Sequence, residues 1–556
     1  MTIPPATTAS RRHCAAVGRD WRARANAKPA RAAATTARPA PTKTGESSLT
    51  AMRVNGTVKE KATTPSNPHS RPERGDISCG AGRIALLCSV MSQDSTDRII
   101  SGVRAWIAGA RPGSRLPSSR ALAAEYGASP VTVQKAMHQL IALGLVESRP
   151  GVGSFVRGIR APRPVDYGWQ TSVLGTPHSR GGALSVTQRP IAADTIALHS
   201  GYPARDLLPE RIVQQAIGRA ARSRAAITSS PAAGEPDLQE WFAQELAASS
   251  PAGVAGPAGR DAIIISGSQS GLSSTFRAVA GEGRPLLIES PTYWGAILAA
   301  AQAGITLAPI PTGADGPDPD EVDRAFARTG ARAFYAQPTF ANPTGAVWSA
   351  GNRQGVLEAV RRHGAFLIED DWAHDLGIDA PSRPLAALDD EGHVIYLRSL
   401  TKSVSPALRV AAVIARGPVR DRILAGRAAE SMYVSGLLQA AALDVVTQPA
   451  WRTHLRVLRD ELRARRDLLL SSLAEHAPSA HVETVPSGGL NIWAQLPEGT
   501  DVARVVQACA ADGLIIAPGT EWFPAEPSGP YVRLNYSGEQ PERYPEAARI
   551  LQRHLD

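Results

Sequence analysis

The chain has 556 residues, which predicts two or three domains because hydrophobic cores stop growing near roughly 250–300 residues. Its 43% hydrophobic and 20% charged residues exclude general disorder. Its longest apolar runs are far short of the roughly 20 residues that a membrane-spanning helix needs, so no membrane partner is expected. The net charge is +9, and residues 1–90 contain 15 Lys and Arg against 5 Asp and Glu.

Four cysteines lie along the chain without paired spacing. This pattern supports neither a disulfide framework nor a metal site. It fits a reducing compartment, and we expect a cytoplasmic protein.

Two segments are predicted to be irregular. Residues 1–90 are rich in Ala, Thr, Pro, Ser and Arg without an apolar period, so they are predicted to be a disordered basic tail. A translation start at Met91 is an alternative interpretation of this tail. Residues 159–193 contain four prolines and several glycines with weak periodicity, and they are predicted to be a linker. Folded domains are therefore expected at 91–158 and 194–556.

The first folded region has the pattern of three short helices followed by a hairpin. Apolar residues at helical spacing run through residues 97–108. A serine-capped helix is predicted within 118–127, and another, opening with Ser-Pro, within 129–144. Two helices joined by a tight turn form a helix-turn-helix, and residues 145–156 are predicted to form a hairpin wing.

The motifs of this region resemble the amino-terminal domain of the GntR regulators. They are Leu116-Pro-Ser-Ser-Arg-x-Leu-Ala123, Thr132-Val133, Gly144-Leu145 and Gly151-x-Gly-Ser-Phe155. The resemblance implies that a double-stranded DNA operator is a partner. Pro130 stands where many relatives have a base-reading arginine, so their operator preference does not transfer.

The candidate DNA contacts divide into base-reading and phosphate-binding groups. Polar side chains on the second helix of the pair are free to approach base edges, and nearby arginines can contact phosphate. For each of them, a solvated surface position is the alternative. The candidates are Thr132, Gln134, Lys135 and His138 on the helix, Arg115, Arg120 and Arg149 for phosphate, and Gly151 and Gly153 in the wing.

The second folded region alternates short apolar runs with segments of helix length. This alternation predicts an α/β fold with a mostly parallel sheet that is buried on both faces. Ligands of such sheets bind beyond the carboxyl ends of the strands. The predicted strands are Ala262–Ser266, Pro285–Ile288, Ala333–Ala336, Ala365–Ile368 and Val394–Leu397.

A lysine after the last of these strands has the neighbours that an aldehyde cofactor requires. Such a cofactor needs an amine for a Schiff base, a polar shell for its phosphate, and an acid facing its pyridine nitrogen. Lys402 offers the amine and Asp370 the acid. The other predicted contacts are Ser268, Gln269, Ser399 and Arg409 for the phosphate, Asn342 for the phenolic oxygen, and Tyr293 for the ring face.

In this order along the chain, these motifs strongly resemble fold-type I aminotransferases, which use pyridoxal 5'-phosphate (PLP). The resemblance continues to Arg533 in Val532-Arg-Leu-Asn535, the position that binds a substrate carboxylate in that family, a task suited to guanidinium. The family's tyrosine two residues after the ring-nitrogen aspartate is here Trp372, which the resemblance makes a candidate cofactor contact with an indole donor but no phenol oxygen. The resemblance therefore implies cofactor binding more directly than turnover.

With both regions, the chain resembles the MocR subfamily of GntR regulators, in which the aminotransferase-like part senses the cofactor or an amino-acid effector. The resemblance implies a homodimeric transcription regulator with PLP as its cofactor and an amino-acid-like small molecule as its effector. Two alternatives remain: a working aminotransferase with a vestigial DNA-binding module, and a DNA-binding dimer whose second domain is inert. The intact helix-turn-helix and wing argue against the first. Lys402, Asp370, Arg409 and Arg533 together argue against the second.

Overall fold

The computed structural model describes residues 95–157 and 194–556, together with the backbone of residues 81–94. The chain forms two compact units that divide within the predicted linker. Apart from two isolated positions, the predicted linker, residues 159–193, lies outside the described residues, as do residues 1–80 of the predicted tail.

The first unit is a winged helix-turn-helix. The hydroxyls of Ser118 and Ser129 cap its second and third helices, accepting backbone N–H groups three residues later at 3.2 and 3.1 Å. Gly127 ends the second helix in the left-handed conformation with φ 58°. These caps confirm the predicted element boundaries. The elements are α1 (Ala81–Gly109), α2 (Ser119–Tyr126), α3 (Pro130–Ala142), β1 (Val146–Arg149) and β2 (Gly153–Val156).

Helix α1 begins earlier than the apolar periodicity of the sequence predicted. It starts at Ala81, within the segment predicted to be a disordered tail, and Met91 lies inside it. Residues 81–90 contain no proline and several good helix formers. A helix already formed over residues 97–108 can therefore extend into them, since each added residue costs less than nucleation.

The second unit contains an eight-stranded sheet with the order β4-β11-β10-β9-β8-β5-β6-β7. Strands β10, β9, β8, β5 and β6 pair in parallel, and β11 is antiparallel to both of its neighbours. The prediction of a mostly parallel sheet is confirmed. The strands are β3 (Ile196–Ala197), β4 (Ala262–Ile265), β5 (Pro285–Ser290), β6 (Thr306–Gly313), β7 (Gly316–Pro317), β8 (Ala333–Ala336), β9 (Phe366–Asp371), β10 (Val394–Ser399) and β11 (Ala411–Ile414).

Both faces of this sheet are covered. Ile264 belongs to the core on one face, while its neighbours Ile263 and Ile265 belong to the core on the other, and all three are fully buried. The period of two along a strand explains this alternation. The helices of the unit are α4 (Glu210–Ala220), α5 (Pro236–Ala247), α6 (Ser268–Val279), α7 (Trp294–Gln302), α8 (Pro319–Thr329), α9 (Ala350–Arg362), α10 (Pro418–Ala428), α11 (Gly436–Thr447), α12 (Pro449–His476), α13 (Val502–Ala511) and α14 (Tyr544–Arg553).

A smaller subdomain with its own core follows α12. Its antiparallel sheet has the order β12-β15-β14, and β13 pairs in parallel with β3 near the start of the unit. Among the described helices, none is long and apolar enough to cross a bilayer. The strands of the subdomain are β12 (Asn491–Gln495), β13 (Leu514–Ile515), β14 (Ala517–Pro518) and β15 (Tyr531–Asn535).

The core of the first unit yields a stability prediction. Leu140 on α3 is fully buried among α1, α2 and the wing. Leu140→Ala should lower the free energy of unfolding of this unit by about 2–5 kcal/mol, because it removes buried methyl groups and leaves a cavity. Calorimetry of the full chain would show this as a lower Tm for the first unit alone. The matched control is Val131→Ala on the same helix, where Val131 is 74% exposed; an equal loss in both variants would contradict the packing argument.

Candidate functional site

One cavity of about 300 Å³ lies beyond the carboxyl ends of β8, β9 and β10. Every residue predicted to bind cofactor or effector lines it. The carboxyl ends of parallel strands leave a crevice in which ligands bind, so the sheet itself accounts for this convergence. The predicted residues in its wall are Ser268, Gln269, Tyr293, Asn342, Asp370, Trp372, Ser399, Lys402, Arg409 and Arg533, and those not predicted are Gly201, Tyr202, Trp294, Leu298, Gln337 and Thr401.

Lys402 is half-buried in this wall. Its Nζ donates a hydrogen bond to the carbonyl of Gly201 at 2.6 Å and lies 3.4 Å from the centre of the Tyr202 ring. Burial lowers the pKa of Lys402 to about 7, and the positive charges of Arg533 and Arg409 act in the same direction. A large fraction of the amine is therefore neutral, and nucleophilic, near neutral pH.

The carboxylate of Asp370 has one satisfied and one unsatisfied oxygen. Its Oδ2 accepts hydrogen bonds from the Tyr335 hydroxyl and the Gln337 amide, both at 2.9 Å. Its Oδ1 is buried without a hydrogen-bond partner. Burial raises the pKa of Asp370 to about 6. A buried acceptor without a donor is costly, and the protonated ring nitrogen of PLP has the donor that this oxygen lacks.

The opening of α6 has the groups that an anion site requires. The backbone N–H groups of a first helical turn have no partners within the helix and carry the positive end of its dipole. The hydroxyl of Ser268 in this turn is buried without a partner. Gly267 precedes the turn with φ 84°, and a Cβ there would lie 2.3 Å from Nη2 of Arg409. Glycine thus lets a guanidinium approach the helix terminus, and these groups fit a phosphate.

Four further predicted residues lie along the cavity wall: Tyr293, Gln269, Asn342 and Trp372. The Tyr293 hydroxyl donates to Oε1 of Gln269 at 3.2 Å, and Oδ1 of Asn342 accepts from Nη1 of Arg533 at 3.5 Å. The indole N–H of Trp372 donates to the backbone carbonyl of Phe340 at 2.9 Å. Trp372 therefore contributes ring surface, since its single donor is already engaged.

Arg533, on β15, is 1% exposed. Its Nη2 donates to the carbonyls of His199 and Ser200 at 2.6 and 3.1 Å, and its guanidinium lies 4.7 Å from the centre of the Trp522 ring. Burial lowers the pKa of Arg533 to about 10, so the group stays positively charged at neutral pH. A buried guanidinium beside a cavity is suited to a carboxylate ligand.

The first unit brings part of the predicted DNA contacts together. Gln134, Lys135 and His138 are exposed on α3 and line one shallow groove. The Thr132 hydroxyl instead contacts the Ser129 hydroxyl at 2.8 Å, within the helix cap. Three of the four predicted residues on α3 therefore form a common polar face, and Thr132 supports the start of that helix.

The three predicted phosphate-binding arginines and the two glycines of the wing have different surroundings. Arg149 contacts Glu147 at 3.1 Å and lies 4.8 Å from the centre of the Phe155 ring. Gly153 has φ 135°, and a Cβ there would lie 2.9 Å from Nε of Arg115, so glycine lets this arginine cross the hairpin. Gly151 has φ 71°, as a tight turn requires. Arg120 is exposed in the first turn of α2.

The comparisons with known proteins agree with the division of the chain into two units. Residues 193–551 match the model of aminotransferase class I and II, and residues 96–156 match that of the gntR family of bacterial regulatory proteins. The first match spans more than half of the chain, which therefore belongs to the aminotransferase class I and II family. Its gntR-family unit gives it the two-part organisation of the MocR subfamily.

Individual relatives share this organisation or the fold of the second unit. The probable rhizopine catabolism regulatory protein MocR of Rhizobium meliloti is 27% identical over 444 residues, covering 79% of this chain and 88% of the relative. The HTH-type transcriptional regulator YdfD of Bacillus subtilis is 26% identical over 76% of this chain and 88% of its own length. The structure of LysN, the alpha-aminoadipate aminotransferase of Thermus thermophilus with N-(5'-phosphopyridoxyl)-L-leucine, has a TM-score of 0.61 at 26% identity, covering 66% and 95% of the two chains.

The burial of Lys402 predicts a pH profile. Acylation of its amine by acetic anhydride in the cofactor-free protein should rise with a midpoint near pH 7, because burial lowers its pKa to about 7 and only the neutral amine reacts. Peptide mass spectrometry would measure the acylated fraction, with exposed Lys135 as the reference amine. Arg533→Gln removes a positive neighbour and should shift the midpoint upward, whereas Asp370→Asn should shift it downward. A midpoint near the ordinary value of about 10.4 would show that the amine is not buried.

Proposed function

We propose that the protein is a PLP-dependent transcription regulator. Residues 95–157 would bind the operator, and the cavity of the second unit would sense PLP, an amino-acid ligand, or both. The observation that carries this proposal is the grouping of Lys402, Asp370 and Arg533 around one cavity, in a chain that also has a complete winged helix-turn-helix. The regulator names of MocR and YdfD support it.

The chain's own residues have distinct roles in holding PLP and its ligand. PLP supplies an aldehyde that reacts with amines and a ring that withdraws electrons. Lys402 would hold the aldehyde carbon, and Asp370 would keep the ring nitrogen protonated. The phosphate would lie at the opening of α6 beside Ser268 and Arg409. The carboxylate of an amino acid would bind Arg533, and its amino group would compete with Lys402 for the same carbon.

We further propose that the protein acts as a homodimer in the cytoplasm, bound at its operator. Two DNA-binding units carried by one dimer would read two half-sites, as helix-turn-helix dimers do. In this proposal residues 159–193 are the linker, and residues 1–80, which precede α1, contribute a basic tail. Gln134, Lys135 and His138 would approach base edges, while Arg115, Arg120 and Arg149 would contact phosphates.

A working aminotransferase is the second candidate. It is favoured by the neutral fraction of the Lys402 amine, because a neutral amine can also accept a proton during transamination. The discriminating measurement is release of a keto acid from any amino acid at an ordinary turnover of roughly 1–10³ per second. Such turnover without any effect on operator binding would favour the enzyme over the regulator.

The DNA-binding role predicts a change in salt dependence. If Arg120 neutralises one phosphate, Arg120→Ala should flatten the slope of log affinity against log salt by roughly 0.9 and weaken all sequences alike. Titration of labelled operator and of unrelated DNA at several salt concentrations would measure both effects. Arg504→Ala, which changes an exposed arginine of the second unit, is the control and should leave the slope unchanged. Weakening confined to one base position would assign Arg120 to base recognition instead.

The sensing role predicts coupling between two binding events. Saturation with PLP and an effective amino acid should change operator affinity by roughly 5- to 150-fold, the usual range for coupled sites, and the operator must change ligand affinity by the same factor. Operator titrations with the cofactor-free, PLP-bound and PLP-plus-amino-acid protein would measure it, with D-isomers in the panel. Lys402→Ala should lose the visible absorbance of bound PLP and the response to it. Identical operator affinity in all states would refute the sensing role.

A further inference from the structure

The side chain of Gln337 joins two of the predicted cofactor contacts. It is 1% exposed and lines the cavity. Its Nε2 donates a hydrogen bond to Oδ2 of Asp370 at 2.9 Å, and its Oε1 accepts one from the backbone N–H of Asn342 at 2.9 Å. The two ends of one amide therefore bond the acid predicted to face the ring nitrogen and the residue predicted to face the phenolic oxygen.

The backbone of Gln337 is fixed by a buried acid of the neighbouring strand. Oε2 of Glu289, on β5, accepts the backbone N–H of Gln337 at 2.6 Å, and its Oε1 accepts the indole N–H of Trp348 at 3.0 Å. Glu289 is 2% exposed. Strand β5 pairs in parallel with β8, which Gln337 directly follows. The side chain of Gln337 thus extends from a fixed position at the end of β8.

The loop that carries Asn342 contains a residue in an unfavourable backbone conformation. Phe340 has φ 53°, in the left-handed region, which costs a residue other than glycine roughly 1–3 kcal/mol. The indole N–H of Trp372 donates to the Phe340 carbonyl at 2.9 Å, and Gln337 accepts the N–H of Asn342. Both bonds come from outside the loop and hold backbone groups at or near the strained residue. The position of Asn342 therefore depends on them.

The other end of the amide acts on the charge of Asp370. Burial raises the pKa of Asp370, and the hydrogen bonds donated by Gln337 and Tyr335 act in the opposite direction. A ring nitrogen keeps its proton only while the facing acid remains ionised. Without the amide donor, the pKa of Asp370 would rise further, and the carboxylate would retain the proton itself. Because an amide does not ionise, it is a donor at every pH.

We propose that Gln337 is a positioning residue for PLP, whose amide bridges Asp370 and Asn342 so that the groups facing the two polar atoms of the ring are held as one unit. The proposal deepens the PLP-binding role proposed above and rests on it for one of its two tests. The other test uses the cofactor-free protein. Failure of the bridge is therefore distinguishable from failure of PLP binding.

The first test measures the pH midpoint of Lys402 acylation in the cofactor-free, full-length protein. Burial and the positive charges of Arg533 and Arg409 lower the pKa of this amine, and the negative charge of Asp370 raises it. Gln337→Met removes the donor and should leave Asp370 protonated at higher pH. The midpoint should therefore shift downward, in the direction of Asp370→Asn and no further than that variant.

Two matched variants control this measurement. Gln337→Glu has nearly the same shape, and since two close carboxyls share one proton, it can still donate to Asp370 and accept from Asn342. Its midpoint should stay near that of the parent. Gln354→Met removes an exposed amide on α9 that donates to Glu358 at 2.7 Å, and it should change nothing. An unchanged midpoint in Gln337→Met, or an equal downward shift in Gln337→Glu, would overturn the Asp370 end of the bridge.

The second test is a double-mutant cycle on PLP affinity, measured by titration of the visible absorbance of bound PLP. Asn342→Ala removes the side chain but keeps the backbone N–H that Gln337 accepts. If the bridge holds Asn342 in place, the loss of affinity caused by Asn342→Ala should be at least about threefold smaller in the Gln337→Met background than in the parent. Additive losses would overturn the Asn342 end. If the parent does not bind PLP at all, the cofactor role fails, and the first test alone decides the bridge.

Discussion

The second unit depends on two basic groups, Lys402 and Arg533, that lie beside one carboxylate in a cavity wall. Lys402 and Arg533 lie in the same cavity wall, and burial lowers the pKa of both, to about 7 and about 10. Removing an ion from water costs several kcal/mol unless partners replace the hydration. The neutral backbone carbonyls of residues 199–201 replace part of that hydration, and the negative charge of Asp370 opposes the pKa shift at Lys402. The basic groups of the cavity outnumber its carboxylate. A bound phosphate and a bound carboxylate would supply the missing negative charge.

Beneath the cavity, a second set of buried charges fixes the loop that carries Lys402. Asp375 accepts hydrogen bonds from the Ser403 hydroxyl at 2.6 Å and from Arg398 at 2.9 Å. Arg398, 2% exposed, lies 4.9 Å from the centre of the Trp241 ring and 3.3 Å from Glu245. Because breaking a buried pair leaves an unpaired charge, this arrangement resists rotation of the loop. The Lys402 amine is thereby presented from a rigid base.

Two adjacent carboxylates show how donors set the ionisation of a buried acid. Burial opposes ionisation of both Asp370 and Asp371. It prevails at Asp370, raising its pKa to about 6. At Asp371, the positive charge and hydrogen bond of His374 and the hydrogen bond of Tyr396 outweigh burial and lower the pKa. The strand alternation places these neighbours on opposite sides of β9, one facing the cofactor cavity and one facing the internal network.

Side chains at strand ends were predictable from the sequence, and backbone contacts were not. Lys402 and Asp370 follow buried apolar runs, so the rule that ligands bind beyond strand ends placed them together. Gln337 directly follows β8, and the same rule applied there would have found it. The contact between Gly201 and Lys402 joins positions 201 residues apart through a carbonyl, which every residue has, so no residue type marks it.

The order of the site residues along the chain has a consequence for synthesis. The winged helix-turn-helix is formed from contacts within residues 95–157, whereas the cavity needs Gly201 near the start of the second unit and Arg533 near its end. Domains fold as units during translation, with amino-terminal ones first, and long-range contacts form late. A nascent or truncated chain thus acquires its DNA-binding surface before any cavity exists. Premature termination would produce a fragment that competes for the operator but cannot bind the cofactor.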